Sequence, residues 1–414
     1  MLKINLEKIK IAFILALVIL NSGYALALGY QLAIMMLSML FMISDILISR
    51  KTVKVTKGSL TFLILMFLQF GLACLVNFDI AGIAEYLRLM GVFLFGYYIF
   101  ISFSPKDLVW GFAGFMFFLA VVSLIFYVWI SFFPSYAIKV QNGYGTEYMT
   151  CFLAFVNTAS LERNCGVFWE PSVFAAMCFI WGIIEICIIR NVGQRKWRIV
   201  VLIVTIFTTY STSGYVYLLL LFVIFILRND SKGYKFYRVV AATAMLLIGV
   251  VVYLNFDTIL LKLVDINALV FKKLLLNNVS VTDRIIGPLA DLYVAVRNPL
   301  GVGLTTLTPT VQYVAATILG ITINTRTSTI TYYCAAFGLL SGITVMVPLM
   351  NFVRRNVHAF LLMLVVAVGL IFMSISAPMH DSAVFIILLF LGTQKNITAT
   401  TQTNELVGER KGDL

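Results

Sequence analysis

The segment from Glu162 to Pro171 places an arginine and a glutamate directly before an apolar run. Arg163 and Glu170 flank Gly166, which permits a tight turn that would bring them together. A guanidinium group binds phosphate oxygens in pairs, and a carboxylate near a helix N-terminus can take a proton from a hydroxyl group. The structural alternative is that Glu170 caps the helix that Pro171 begins, with a salt bridge to Arg163.

Further arginines occur in the two longest connections of the chain, and a ligand carrying phosphate would account for them. Together with Arg163, already described, the arginines of these connections are Arg163, Arg284, Arg297 and Arg326. The alternative is that each one pairs with an acidic side chain of the same connections. Those acids are Glu162, Asp257, Asp265, Asp283 and Asp291.

Glu85 and Arg88 lie inside a predicted membrane span, three residues apart and therefore on one helix face. Charges within a membrane are expensive and usually face a partner or a cavity. Either the two side chains neutralise each other locally, or Arg88 faces the cleft that would bind the phosphate-carrying ligand.

Aromatic and histidine side chains near the predicted span ends are the remaining candidates. Phe168 and Trp169 fit an interfacial aromatic belt, with stacking on a sugar as the alternative. His380 and Asp381 lie at the outer mouth of the last span, where they could reach the same cleft; otherwise they are a surface histidine beside a capping aspartate.

The composition excludes a soluble protein. Of 414 residues, 61% are hydrophobic and 12% are charged, whereas soluble domains have about 25% charged residues. The net charge of +12 indicates a membrane protein with basic cytoplasmic loops rather than a nucleic-acid partner. The six cysteines form no CxxC pair, so no metal site is expected. Cys151 and Cys165 could pair, but free thiols are favoured.

We predict an all-α polytopic membrane protein of about twelve spans. Each needs about 20 apolar residues. The spans lie near residues 11–28, 29–48, 59–77, 83–103, 109–133, 170–190, 199–210, 214–227, 239–256, 328–353, 357–376 and 379–393. The short pair 199–210 and 214–227 is separated by a turn at Ser211–Gly214, because basic clusters flank both ends of the combined stretch.

Charge predicts the orientation. Twenty-one of the 30 Lys and Arg residues fall in segments assigned to the cytoplasm and eight in outer ones, so both termini are expected inside. The predicted regions are N-terminal helices (1–133), an outer loop (134–169), central helices (170–256), a large outer loop (257–327), C-terminal helices (328–393) and a cytoplasmic tail (394–414). Long connections of this kind are usually functional or disordered.

Four sequence elements resemble those of the O-antigen polymerase (Wzy-type) and ligase superfamily. Arg163–Pro171 is similar to its R-x-x-G-x-F-x-E-P element. Thr209–Gly214 resembles its serine-rich turn between two short spans. Asn298–Gly303 resembles its N-P-L-x-G-x-G segment, and Phe337–Gly342 its F-G-x-x-G opening of the next span. The four elements occur in the family's order and cover residues 160–345.

The resemblance implies a metal-independent glycosyltransferase that polymerises polyprenyl-diphosphate-linked repeat units at the outer face of the bacterial inner membrane, without a cofactor. Its implied partners are the lipid-linked oligosaccharide, the bilayer, a chain-length regulator and a flippase. Arg163, Arg284 and Arg326 are assigned to the diphosphate and Glu170 to the base, with His380 and Asp381 as further candidates. Substrate binding is assigned to Arg88, Arg297, Trp169 and Asp381.

Two other functions stay open. Ligases of this superfamily contain a histidine in the large loop before the F-G-x-x-G span, whereas the equivalent stretch here, Asn324–Ser328, contains none. That difference disfavours a ligase. A flippase for lipid-linked oligosaccharide is expected to have short loops and cations between two similar halves, but the cations of this chain are concentrated in two unequal loops.

Overall fold

A computed structural model describes residues 6–49, 55–151, 153–158, 163–189, 196–228, 279–323 and 328–394. The described chain is mostly helical. Its helices are α1 (Leu6–Leu20), α2 (Gln31–Ser49), α3 (Lys57–Val76), α4 (Ile83–Ser102), α5 (Pro105–Phe132), α6 (Pro171–Ile183), α7 (Lys196–Thr208), α8 (Thr212–Arg228), α9 (Val279–Arg297), α10 (Leu304–Thr317), α11 (Ile330–Phe337), α12 (Leu339–Asn356), α13 (Phe360–Ser376) and α14 (Ala383–Thr393).

Among the described residues, five helical segments are long and apolar enough to cross a membrane, which indicates a helical membrane protein. They are Gln31–Ile48, Lys57–Val76, Ile80–Ser102, Pro105–Phe132 and Pro171–Ile189; the last combines α6 with a π-helix at Ile184–Ile189. The predicted division of 199–227 into two helices is confirmed by α7 and α8. The predicted span 239–256 lies outside the described residues.

The core of the bundle is formed around α6 and α14. Every residue of α6 is buried, and it packs against α5, α7 and α8. Helix α14 lies against α4 and α12. Both helices are apolar all round, as expected for helices enclosed by others.

The connection after α5 contains a four-stranded antiparallel sheet, so the all-α prediction is wrong for this region. Its strands, in spatial order, are β1 (Ile138–Gln141), β2 (Glu147–Cys151), β3 (Ala154–Asn157) and β4 (Arg163–Asn164). Cys151 and Cys165 are free thiols. The sheet packs through β3 against α5, and this contact fixes the position of β4.

The predicted span 328–353 is broken at Gly338 into α11 and α12. Gly338 has φ +95°, and a Cβ atom there would lie 2.4 Å from the carbonyl oxygen of Pro299. The segment Asn298–Gly303 therefore docks backbone to backbone on the break. The amide of Val302 donates to the Ala335 carbonyl at 3.0 Å, and the amide of Leu339 to the Pro299 carbonyl at 3.1 Å.

The N-terminus of α10 is capped by Asp79, which lies just before α4 in the chain. The carboxylate of Asp79 accepts hydrogen bonds from the amides of Leu304 at 2.7 Å and Thr305 at 3.2 Å. Burial raises the pKa of Asp79, but these amides and the hydroxyls of Thr305 and Tyr86 lower it below its ordinary value on balance. Asp79 thus caps a helix more than 200 residues away in the chain.

Several helix ends meet at one end of the bundle, here called the site end: the C-terminus of α1 and the N-termini of α4, α6 and α14. The amide of Ala383 donates to the Asn21 carbonyl at 3.0 Å, and the amide of Val384 to the Ser22 hydroxyl at 3.0 Å. The amide of Trp169 donates to the Gly23 carbonyl at 3.1 Å. These bonds fix the residues around Glu170 and Asp381 relative to each other.

Candidate functional site

Arg163 is positioned by strand β4 and by the side chain of its neighbour. In the sheet Arg163 lies opposite Asn157. The buried Asn164 amide donates to the Thr208 hydroxyl at 3.0 Å, and its oxygen accepts from the amide of Gly166 at 2.8 Å. Gly166 has φ +56°, so the predicted tight turn is confirmed.

The guanidinium group of Arg163 points to the turn between α7 and α8. Its Nε donates to the carbonyl oxygen of Thr209 at 3.2 Å. The next residue, Tyr210, has φ +44°, a left-handed conformation that is costly for a residue with a large side chain. This turn is therefore held in an unfavourable backbone shape at the place where it meets Arg163.

Glu170 precedes the first residue of α6, which is Pro171, as predicted. Its side chain makes no capping hydrogen bond, so the capping role considered for it is not observed. Its Oε1 instead lies 3.2 Å from Nη2 of Arg284 on α9. The salt bridge of Glu170 is thus with Arg284 rather than with Arg163.

Arg284 completes a group that we call the basic cluster: Arg163, Glu170, Ser213 and Arg284. Its Nη1 lies 3.5 Å from the Ser213 hydroxyl oxygen, at the long limit for a hydrogen bond. The Nε atom of Arg284 is buried and has no hydrogen-bond partner. Arg284 therefore retains a donor that is neither solvated nor bonded, which is unusual for a buried polar group.

The basic cluster has an excess of positive charge, because two guanidinium groups share one carboxylate. Burial lowers the pKa of Arg163, the Glu170 carboxylate raises it, and the nearby Arg284 lowers it further. Arginine stays charged despite such shifts. An anion bound between the two guanidinium groups would remove the excess charge and satisfy the free donor of Arg284.

A second charged group, the acidic cluster, consists of Glu85, Arg88 and Asp381. Nε of Arg88 donates to Oε2 of Glu85 at 2.9 Å, and its Nη2 lies 2.9 Å from Oδ2 of Asp381. Arg88 is 6% exposed. Burial raises the pKa of Asp381, but Arg88 and then His380 lower it below its ordinary value on balance. The local ion pair predicted for Glu85 and Arg88 is present, and Asp381 joins it.

Asp381 and His380 do not act as the cap and surface histidine that we considered. The cap of α14 is the hydroxyl of Ser382, which accepts from the amide of Phe385 at 3.4 Å. The His380 ring is stacked on Tyr332, with ring centroids 3.9 Å apart. His380 is therefore held beside the acidic cluster and not in the basic cluster.

Trp169 is next to the basic cluster in the chain and next to the acidic cluster in space. It precedes Glu170, and with Arg88 and Asp381 it lines a small cavity of about 30 Å³. This space, the polar cavity, is large enough for about one water molecule. Other polar side chains at its wall are Asn21, Ser22, Gln31 and Ser382. No sequence pattern distinguishes these four residues, since isolated polar residues at span ends are common.

One further predicted arginine, Arg297, is not part of these clusters. Arg297 lies at the far end of α9, thirteen residues or about 20 Å from Arg284 along the helix, and is exposed. Its guanidinium carbon lies 5.3 Å from the ring centroid of Tyr293. The assignment of Arg297 to substrate binding is therefore not supported by its position. Arg326 lies outside the described residues.

The basic cluster presents mainly hydrogen-bond donors, namely two guanidinium groups and one hydroxyl. Among the described residues, no three His, Cys, Asp or Glu side chains come close enough to hold a metal. Cys165, beside Arg163, is fully buried, and burial raises its pKa to about 12. It is thus a neutral thiol and not a nucleophile at neutral pH.

Comparisons with protein-family models, curated proteins and solved structures found no match to this chain.

Proposed function

We propose that this protein is a membrane glycosyltransferase that polymerises polyprenyl-diphosphate-linked oligosaccharide repeat units into a surface polysaccharide such as O-antigen. The observation that carries the proposal is the basic cluster. Arg163 and Arg284, from separate segments of the chain, both interact with the Glu170 carboxylate, and Arg284 also reaches Ser213 of a third segment. Such a cluster fits a diphosphate group that leaves a sugar during glycosyl transfer.

The arginines supply the electrostatic part of the reaction. An acceptor hydroxyl attacks the anomeric carbon of the donor sugar, and the bond from that carbon to the diphosphate oxygen breaks. The diphosphate leaves with the bonding electrons, so negative charge accumulates on its oxygens. Arg163 and Arg284 are charged before the reaction and lie where they can stabilise that charge without rearrangement.

Glu170 is the proton acceptor in this scheme. In the described state its carboxylate is paired with Arg284, and it accepts no capping hydrogen bond from α6. A diphosphate bound to Arg284 competes for the same guanidinium group and frees the carboxylate. Glu170 then takes the proton of the acceptor hydroxyl as the new glycosidic bond forms.

The proposal places the site end at the outer face of the bacterial inner membrane, with both chain termini in the cytoplasm. This orientation follows from the basic residues of the opposite connections. Sugar substrates would enter from the aqueous side, while the lipid carriers remain in the bilayer.

The test is reconstitution of the full chain in lipid vesicles. The vesicles contain a radiolabelled polyprenyl diphosphate that carries a single oligosaccharide repeat unit. A polymerase gives a ladder of longer glycans, together with one free polyprenyl diphosphate for each new linkage. Transfer only to an added lipid A-core acceptor would indicate a ligase. Movement of the intact lipid across the bilayer without new linkages would indicate a flippase, and either result would overturn the proposal.

A further inference from the structure

Ser172, in the first turn of α6, has a buried hydroxyl group without a hydrogen-bond partner. The residue is 0% exposed, and its Oγ atom has no partner among the described residues. Burying a hydroxyl group without a hydrogen bond costs free energy. An unpaired hydroxyl in a folded protein therefore needs an explanation, and a ligand that binds to it is one.

The backbone before α6 explains why Ser172 lacks the partner that other helical serines of this protein have. Ser38, Ser131 and Ser376 each donate to the carbonyl oxygen four residues earlier in their own helix. Ser172 is only the second residue of α6, and Glu170 before it has an extended backbone with φ −138° and ψ 139°. The carbonyl group four residues before Ser172 therefore lies outside the helix, and the hydroxyl remains available to a ligand.

The face of α6 that carries Ser172 packs on the start of α8. Ala175, three residues further along, has its Cβ atom 3.3 Å from the position of an added Cβ at Gly214. Phe179, seven residues from Ser172, is stacked on Tyr217 with ring centroids 4.9 Å apart. Residues three and seven positions apart share one face of a helix. Ser172 therefore faces the N-terminal end of α8.

The basic cluster lies at the same place, because Arg284 joins the starts of the two helices. It is paired with Glu170 before α6 at 3.2 Å and reaches Ser213 in the first turn of α8 at 3.5 Å. Ser172 follows Glu170 by two residues and faces α8, so it lies beside this contact. The buried Nε atom of Arg284 is also without a partner among the described residues. Two unpaired buried polar groups thus occur together.

The N-terminus of α6 adds an electrostatic field that favours an anion here. The first amides of a helix and its dipole attract negative charge, and the side chain of Glu170 makes no capping hydrogen bond to them. A phosphate group over the first turn of α6 could accept a hydrogen bond from the Ser172 hydroxyl. The site therefore offers two kinds of partner for an anion: guanidinium groups, and a helix N-terminus with a hydroxyl group.

We infer that the basic cluster has a second anion subsite, formed by the Ser172 hydroxyl and the N-terminus of α6, which binds the second phosphate of a diphosphate-linked donor. The first phosphate lies between the guanidinium groups of Arg163 and Arg284. The inference rests on the proposed function, because it names the group of the donor that the site distinguishes. A donor linked through a single phosphate fills only one subsite, so Ser172 selects for diphosphate carriers.

Calorimetry on the full chain in detergent, with pyrophosphate and orthophosphate as probes, tests the inference. Ser172→Ala should weaken pyrophosphate binding about 10- to 100-fold, the loss expected for one hydrogen bond to a charged group. Orthophosphate binding should stay unchanged, because the guanidinium groups still bind a single phosphate. Equal pyrophosphate affinity in wild type and Ser172→Ala would overturn the inference and would mean that the hydroxyl holds only a water molecule. Wild type that does not bind pyrophosphate would overturn it as well.

Thr205→Val on α7 is the matched control. Thr205 also has a buried hydroxyl group without a partner among the described residues, but it takes no part in the hydrogen bonds of the basic cluster. The variant should bind both probes as wild type does. A loss of pyrophosphate binding in Thr205→Val equal to that in Ser172→Ala would contradict a specific role for Ser172.

Thermal unfolding separates a binding role of Ser172 from a structural one. Without a ligand, Ser172→Ala breaks no hydrogen bond, so its Tm should equal or exceed that of wild type. Pyrophosphate should raise the Tm of wild type and Thr205→Val more than that of Ser172→Ala. A lower Tm of ligand-free Ser172→Ala, together with an equal loss of both probes, would show that Ser172 supports the fold and would overturn the inference.

Binding of pyrophosphate does not depend on turnover, so the two proposals can fail separately. A selective loss of pyrophosphate binding in Ser172→Ala, without polymer formation by wild type, would leave the subsite and remove the proposed function. Polymer formation by wild type, with equal pyrophosphate binding by wild type and Ser172→Ala, would do the reverse.

Discussion

The carboxylate of Glu170 and the guanidinium group of Arg284 form an ion pair 3.2 Å long between residues 114 positions apart in the chain. The pair joins the start of α6 to α9 of the large loop. Arg163 lies close enough to influence the same carboxylate, but its directed hydrogen bond goes to Thr209. One carboxylate is thus set between two cations, and its removal should have separable effects on binding and turnover.

Replacement of Glu170 by Gln should lower turnover about 100-fold or more, the usual contribution of a general base. Binding of pyrophosphate should become tighter, because the internal anion that competes for Arg284 is lost. Turnover can be measured with the lipid-linked repeat unit and pyrophosphate binding by calorimetry. Unchanged turnover together with unchanged binding would show that Glu170 has only a structural role.

Replacement of Arg284 by Ala should reduce polymer formation about 100- to 1,000-fold, as expected for removal of a preorganised group that stabilises developing charge. Arg297→Ala is the matched control on the same helix, since Arg297 is exposed and lies outside the basic cluster. It should retain near-normal activity. Chain-length distributions on gels compare the two variants, and equal losses would mean that α9 acts through its fold alone.

Asp79→Asn should destabilise the protein by about 2 kcal/mol near neutral pH, the scale of a hydrogen bond to a charged group. The pKa of Asp79 is lowered in the folded state, so its contribution is present above the unfolded pKa of about 3.9 and is lost as pH falls through the folded value. The difference in Tm between wild type and Asp79→Asn should be constant from pH 8 to 5 and shrink below about pH 4. A constant difference down to pH 2 would argue against this titration.

Gly301→Ala should destabilise the protein, whereas Gly287→Ala on α9 should not. At Gly301 φ is +85°, and an added Cβ would lie 2.3 Å from the Ala336 carbonyl oxygen. The left-handed conformation alone costs about 1–3 kcal/mol. At Gly287 nothing lies within 4 Å, and alanine in a helix interior gains up to about 1 kcal/mol. Thermal unfolding in detergent should therefore move in opposite directions for the two variants.

Labelling with a membrane-impermeant maleimide tests the predicted orientation. In a chain with Cys74 and Cys151 replaced by Ser, Tyr144→Cys in the β1–β2 turn should be labelled from outside intact cells. Lys106→Cys at the start of α5 should be labelled only after the membrane is opened. The buried Cys165 should stay unlabelled, because its pKa is raised to about 12. The opposite labelling pattern would place the basic cluster in the cytoplasm and contradict the proposed function.

Much of the helical architecture was predictable, because a span must be apolar over its whole length and polar or basic residues flank each apolar run. The turn before Thr212 and the position of Glu170 before Pro171 were predicted for this reason. The sheet was not, because its strands contain two to five residues and too few alternations to register as a pattern.

The pairing of the charged residues was only partly predictable. Glu85 and Arg88 are one helical turn apart, so their contact follows from spacing. The contacts of Arg88 with Asp381 and of Glu170 with Arg284 join distant segments, and one sequence contains no information on which distant charges meet. Asp79 was overlooked for the same reason, since its partners lie in α10.

The segment Asn298–Gly303 can contact the break at Gly338 only because Gly301 and Gly338 have no side chain. Each of the two glycines packs directly against the backbone of the opposite segment. The joint is held mainly by main-chain hydrogen bonds, and the Asn77 side-chain amide also donates to the Gly301 carbonyl at 3.2 Å. A side chain at either position would push the two backbones apart, so loss of one glycine removes the reason to keep the other. In other chains that share this fold, we expect the two positions to covary.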